Sequence, residues 1–105
     1  MTDLTKIIER FIESEVAAGV KLQALSAFLG DDNDLRVCGE AIFAKVQSES
    51  LAVNVVVVVY DNKGRVIETD DCYIGSKNLS YDTFDVNLYG IKHPVDRIKI
   101  FLKRS

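Results

Sequence analysis

The chain has 105 residues, 48% of them hydrophobic and 28% charged, with 13 Lys plus Arg against 16 Asp plus Glu and a formal net charge of −3. A chain of this size is expected to form one domain with one core. The absence of clustered positive charge excludes the usual nucleic-acid groove and the polybasic membrane anchor, and a single His excludes an all-His metal centre.

The opening segment has helical period. Leu4, Ile7, Ile8, Phe11, Ile12 and Val16 fall at i, i+3, i+4 spacing and share one stripe, with Lys6, Glu9, Arg10, Glu13 and Ser14 opposite. Thr2 or Thr5 can cap the start, and Asp3 complements the helix dipole. Gly19 is a natural stop. The spacing predicts an amphipathic helix over 3–18, so that residues 1–18 form a helical unit and 19–105 the rest of the single domain. The first six residues, Met1-Thr2-Asp3-Leu4-Thr5-Lys6, lack the basic and apolar regions of a signal peptide, which predicts a cytoplasmic chain. No apolar run approaches the ~20 residues of a membrane helix.

After Gly19 the period becomes two. Residues 20–29 read as a first strand, with a second helix as the competing reading. Gly30-Asp31-Asp32-Asn33-Asp34 is a turn. Residues 35–47 read as a second strand with Gly39 as a bulge site, and Ser48-Glu49-Ser50 as the next turn. Residues 51–60 form a third strand, Asp61-Asn62-Lys63-Gly64 a tight hairpin loop, and residues 65–69 a fourth strand that extends towards Ile74. Gly75 and Asn78 mark a loop. Thr83, Asp85 and Asn87 then alternate with Phe84, Val86 and Leu88 as a half-buried strand. Gly90 to Pro94 is a loop, and residues 95–103 close the chain with Ile98, Ile100 and Leu102 inward and Arg97, Lys99 and Lys103 outward. Turns every 8–12 residues predict a mainly β fold: an antiparallel β-sandwich of six or seven strands with one N-terminal helix.

Residues 55–59 are five consecutive valines. Leu51, Val53, Val55, Val57 and Val59 make one face of that strand, and the other face, with Ala52, Val56 and Val58, is also mostly apolar. Burying a Val side chain gains roughly 1.5–3 kcal/mol, so Val56 and Val58 call for a cover. Ile7, Ile8, Phe11 and Ile12 of the helix are the expected cover, with a homodimer interface as the other solution.

The acidic loops hold the candidate metal ligands. Alternate loops share an end of an up-and-down sandwich, which would gather Asp31, Asp32, Asp34, Asp61 and His93. Calcium takes 6–8 oxygen ligands and suits such a loop end, although Asp and Asn are also the ordinary residues of turns. His93 precedes Pro94 and reads as loop punctuation. Cys38 and Cys72 read as small buried side chains of strands rather than nucleophiles. Ser14, Ser26, Ser48, Ser50 and Ser80 sit in no nucleophile elbow, and the six glycines form no phosphate loop. Tyr73, Tyr81, Tyr89 and Phe101 are expected to pair across strands on one sheet face.

One stretch resembles a known family. Leu35-Arg36-Val37-Cys38-Gly39-Glu40, the valine strand ending Val57-Val58-Val59-Tyr60-Asp61, then Gly64-Arg65-Val66-Ile67 and Thr83-Phe84-Asp85-Val86 resemble the FxLYD-type domains. These are immunoglobulin-like sandwiches named for a Phe-x-Leu-Tyr-Asp strand end. Tyr60, Asp61 and the following Gly match, while Val57 and Val59 stand in place of Phe and Leu. The resemblance covers about half the chain and implies an immunoglobulin-like fold of bacterial type with no catalytic residue. The expectation is thus a non-enzymatic interaction or accessory domain, acting on a protein partner or by self-association. The alternative is a module binding calcium or a small ligand at the acidic loops.

Overall fold

The computed structural model describes residues 1–43, 51–76 and 81–104. Among them are eight strands and one α-helix: β1 (Thr2–Asp3), β2 (Ile8–Arg10), α1 (Ile12–Ala18), β3 (Val20–Leu29), β4 (Leu35–Phe43), β5 (Leu51–Tyr60), β6 (Val66–Ser76), β7 (Tyr81–Leu88) and β8 (Arg97–Arg104), with a 3-10 turn at Thr5–Ile7. They form two four-stranded sheets, ordered β1-β3-β4-β7 and β2-β8-β5-β6. The layered β fold expected from the turn spacing is present, but the described strands number eight rather than six or seven, because β1 and β2 arise from the segment expected to be helical. Expected strand residues 44–47, the turn at 48–50 and Asn78 and Ser80 lie outside the described residues.

The N-terminal helix is the main correction. Only Ile12–Ala18 is helical; residues 3–11 are not. Thr5 and Asp3 do not cap a helix. Asp3 Oδ1 accepts the Thr5 N–H at 2.9 Å, and Thr5 Oγ1 accepts the Ala27 N–H at 3.1 Å. This bends the chain from the first sheet to the second. Thr2 and Asp3 pair antiparallel with Leu29 and Phe28, whereas Ile8, Glu9 and Arg10 pair parallel with Ile98, Lys99 and Ile100. The second sheet is therefore mixed rather than purely antiparallel. A short helix gains little by itself in water, and the pairing of β-branched Ile8 and its two successors with β8 outweighs the helical spacing. Gly19 does end the helix, at φ 69°.

Residues 20–29 are a strand, which settles their competing readings. The irregularity expected at Gly39 lies on its partner. Gln23 pairs with Glu40 and Ser26 with Cys38, so Ala24 and Leu25 together face Gly39, and Ala24 takes φ 53°. This is a two-against-one bulge, and it leaves Gly39 beneath Leu25 and Phe84.

The core lies between the sheets. Val53, Val55, Val57 and Val59 are fully buried there, against Leu22, Leu35, Val37, Val86, Ile98 and Ile100 among others. Val56 and Val58 on the opposite face are half-buried. Their cover is lateral, which corrects the expected helical one. Phe101 lies opposite Val56 and Lys99 opposite Val58 on β8, with Asp71 and Thr69 opposite them on β6. Long neighbours on the same face shield apolar side chains with their stems. Ile7 and Ile8 pack instead against the edge of the core, and Ile12 is 52% exposed. Phe11 alone reaches that sheet face, where Lys99 Nζ lies 5.3 Å from its ring centre. The tyrosines do not share a face: Tyr81 is on the first sheet, and Tyr73 and Phe101 are on the second.

Candidate functional site

α1 closes one open side of the sandwich, and its contacts are specific. Phe11 N–H donates to Ile100 O at 3.1 Å, carrying the β2 pairing to the helix. Ser14 Oγ donates to Phe11 O at 2.7 Å and accepts the Leu102 N–H at 3.1 Å, which ties the helix to β8. Glu15 ties it to the other sheet. Its Oε1 accepts the Leu22 N–H at 2.8 Å and Arg10 Nη2 at 2.6 Å, and its Oε2 accepts Arg10 Nε at 3.2 Å. Glu15 is only 4% exposed. The bidentate bond from Glu15 stabilises the charged Arg10 guanidinium and holds its pKa above the ordinary arginine value. Helical spacing puts Glu15 inside the expected apolar stripe, four residues after Phe11 and three after Ile12, but a carboxylate there carries no apolar signal, and the periodicity of apolar residues does not single it out.

The helix exposes apolar surface away from these ties. Val16 is 76% exposed, Ile12 52% and Phe11 41%. Ile12, Val16, Val20 and Ile42 line a groove of about 650 Å³, with Arg10, Glu15 and Lys21 along it. Its lining is mostly apolar, with the half-buried Arg10–Glu15 ion pair in its wall. Of the residues expected at an interface, Phe11 and Ile12 belong to this side. Ile7, Ile8, Val56 and Val58 do not line this groove.

The acidic loops do meet at one end. The Ile91 N–H donates to Asn33 O at 2.8 Å and the Gly90 N–H to Asp34 Oδ1 at 3.0 Å, joining loops 30–34 and 89–94. His93 shares a shallow groove with Asp61 and Arg65. The carboxylates nevertheless serve separate turns. Asp31 receives the N-terminal ammonium at 3.0 Å, and Asp32 Oδ1 accepts the Asp34 N–H at 3.1 Å. Asp61, 3% exposed, accepts the Lys63 and Arg65 N–H groups at 2.9 Å and Arg65 Nε at 3.0 Å. Among the described residues, no three His, Cys, Asp or Glu side chains are grouped so as to hold a metal ion.

The Arg65 backbone N–H, with help from the Lys63 N–H and the Arg65 side chain, holds the Asp61 carboxyl below its ordinary value of 3.8. A carboxyl depressed in the folded state stabilises the fold fully above its unfolded pKa. That contribution is lost as pH falls through the lower folded value. The stability gap between the unaltered chain and Asp61→Asn is therefore expected to be widest near neutrality and to narrow below pH 3.8. Urea unfolding at neutral and acid pH measures it, and an equal gap at both would refute the assignment.

Cys38 and Cys72 are free and lie on strands, but they are half-buried rather than buried as expected. Burial, then the Asp85 carboxylate 3.7 Å from its sulfur, pushes the Cys38 thiol up and away from the reactive thiolate. Around it on the outer face of the first sheet, Arg36 binds Asp85 at 2.7 Å, and Glu40 accepts Gln23 Nε2 at 3.0 Å and Tyr81 Oη at 2.8 Å. No described helix is long and apolar enough to cross a membrane. No family model, curated protein or solved structure matches the chain.

Proposed function

We propose that this chain is a non-enzymatic protein-interaction module on an immunoglobulin-like β-sandwich, docking a partner through the groove beside α1. The observation that carries this is the exposure of Val16 and Ile12, at 76% and 52%, along an apolar groove. A helix held down by Glu15 and Ser14 could have turned these residues inward; leaving them in water forgoes their burial energy. The occupant is a segment of another protein with apolar side chains facing Ile12, Val16 and Ile42 and a carboxylate meeting the exposed ammonium of Lys21. The immunoglobulin-like reading is supported by two packed four-stranded sheets with alternating inner faces. The FxLYD resemblance gains from Tyr60 and Asp61, which end β5 and close its hairpin.

Val16→Asp is the test. The site is exposed, so the substitution should change stability by less than about 0.5 kcal/mol. It should abolish the capture of proteins that the unaltered chain retains from its source cells. Equal capture by both forms would overturn the proposal. Light scattering of the unaltered chain and the variant separates a second copy from a different protein as occupant.

A further inference from the structure

On the opposite side of the sandwich β6 and β7 lie close to each other without a ladder between them. Among the described residues β6 pairs with β5 alone and β7 with β4 alone, so each is the outer strand of its sheet. An outer strand offers unpaired N–H and C=O groups to any added strand. Here three backbone donors along these two strands are already taken by side chains. The Thr69 N–H bonds Glu68 Oε1 at 3.0 Å, the Asp71 N–H bonds Asp70 Oδ1 at 2.8 Å and the Thr83 N–H bonds Asp82 Oδ1 at 2.9 Å. In all three cases the preceding carboxylate folds back on the next residue's N–H. Register places the same three side chains on the core-facing side of their strands: Glu68 lies opposite buried Val59, Asp70 opposite buried Val57 and Asp82 opposite buried Ala41.

We propose that Glu68, Asp70 and Asp82 are edge guards that stop a second copy of the chain from adding its outer strand to β6 or β7. Two features of the arrangement produce this. Each carboxylate occupies a donor that strand addition needs. Each also stands where an added strand would extend the core-facing surface over it, and covering an unpaired charge is heavily unfavourable. Two β6 edges meeting antiparallel would further bring like charges together. Without the guards, an eleven-residue edge beside the valine strand is a template for self-pairing.

The test is the triple variant Glu68→Thr, Asp70→Thr, Asp82→Thr, compared with the unaltered chain by light scattering across a wide concentration range. Its mass should rise about twofold or more relative to the unaltered chain, as edge pairing of identical copies requires. A folded triple variant with unchanged mass overturns the proposal. A charge-matched control, Glu13→Thr, Asp31→Thr, Asp32→Thr, should keep the original mass; equal association there would mean that net charge is the cause and overturn it. Adding Asp71→Pro to the triple variant deletes an outward N–H while sparing the β5 ladder, and should return the mass to that of the unaltered chain. Association that survives it places the contact elsewhere and also overturns the proposal. If circular dichroism shows the triple variant unfolded, Asp70→Thr alone is read in its place by the same criteria.

Discussion

Arg10→Met is expected to lower the unfolding free energy by about 3 kcal/mol, the low end for breaking a buried ion pair. Arginine removal strands the Glu15 carboxylate, whose side chain is 5% exposed, with only the Leu22 N–H as partner. The Arg10 side chain is 34% exposed, which keeps the cost from the top of the range. Met retains most of the arginine stem, so lost packing contributes little. Glu15→Gln keeps an acceptor for both donors and should cost about 1 kcal/mol, the worth of a weakened hydrogen bond. Arg10→Met with Glu15→Met removes both charges and should cost less than the two single methionine changes added together. Urea midpoints at constant slope give these differences. A cost for Arg10→Met below about 1 kcal/mol, the worth of an exposed pair, would show that the Arg10–Glu15 contact behaves as a surface ion pair and overturn the assignment of Arg10 as the partner that lets Glu15 be buried.

Gly39→Ala is the second large effect, at about 2 kcal/mol of destabilisation by overpacking. A Cβ at that position would lie 2.6 Å from Leu25 Cδ2 and 2.7 Å from Phe84 Cζ. Leu25 is half-buried and can yield, but Phe84 is 4% exposed within the core. The bulge creates this demand: two residues of β3 face one of β4, and the second of them, Leu25, folds down over the glycine. Leu25→Ala makes room for the new methyl. The double variant should therefore be less destabilised than the sum of its single changes. Strict additivity in thermal unfolding would mean that the clash is relieved elsewhere and that Leu25 is not the residue in conflict.

These two sites also mark how far sequence reading reaches. The strands from Leu35 onward were legible where their inner residues alternate, as in Ile98, Ile100 and Leu102, and where Asp and Gly punctuate them, while the bulged alternation of residues 20–29 left strand and helix both open. The segment around Ile7 and Ile8 was not. Its apolar spacing fits a helix and an edge strand equally, and only the presence of β8 as a pairing partner decides between them. Glu15 was half legible: its spacing from Phe11 and Ile12 puts it on the apolar side, but the partners that let a carboxylate be buried there, Arg10 and Leu22, come from other elements. Gly39 was legible as a special position, although the extra residue it accommodates lies on the neighbouring strand. At the candidate site, exposed Ile12 and Phe11 were legible as apolar residues seeking cover. The separation of Ile12 from Val56 and Val58 follows from the shortness of α1, which packs at the side of the sandwich rather than across a sheet.

The parallel pairing of β2 with β8 has a mechanical consequence. A pull reaching Ile8 from its N-terminal side and leaving through Arg104 draws the two strands past each other along their length. Their backbone bonds, and the two-point grip of Glu9 on Arg97 at 2.6 and 3.1 Å, share that load and must yield together. The β5–β6 hairpin pulled at its open end would instead unzip rung by rung. The chain is joined end to end in shear, the geometry of a link that carries tension.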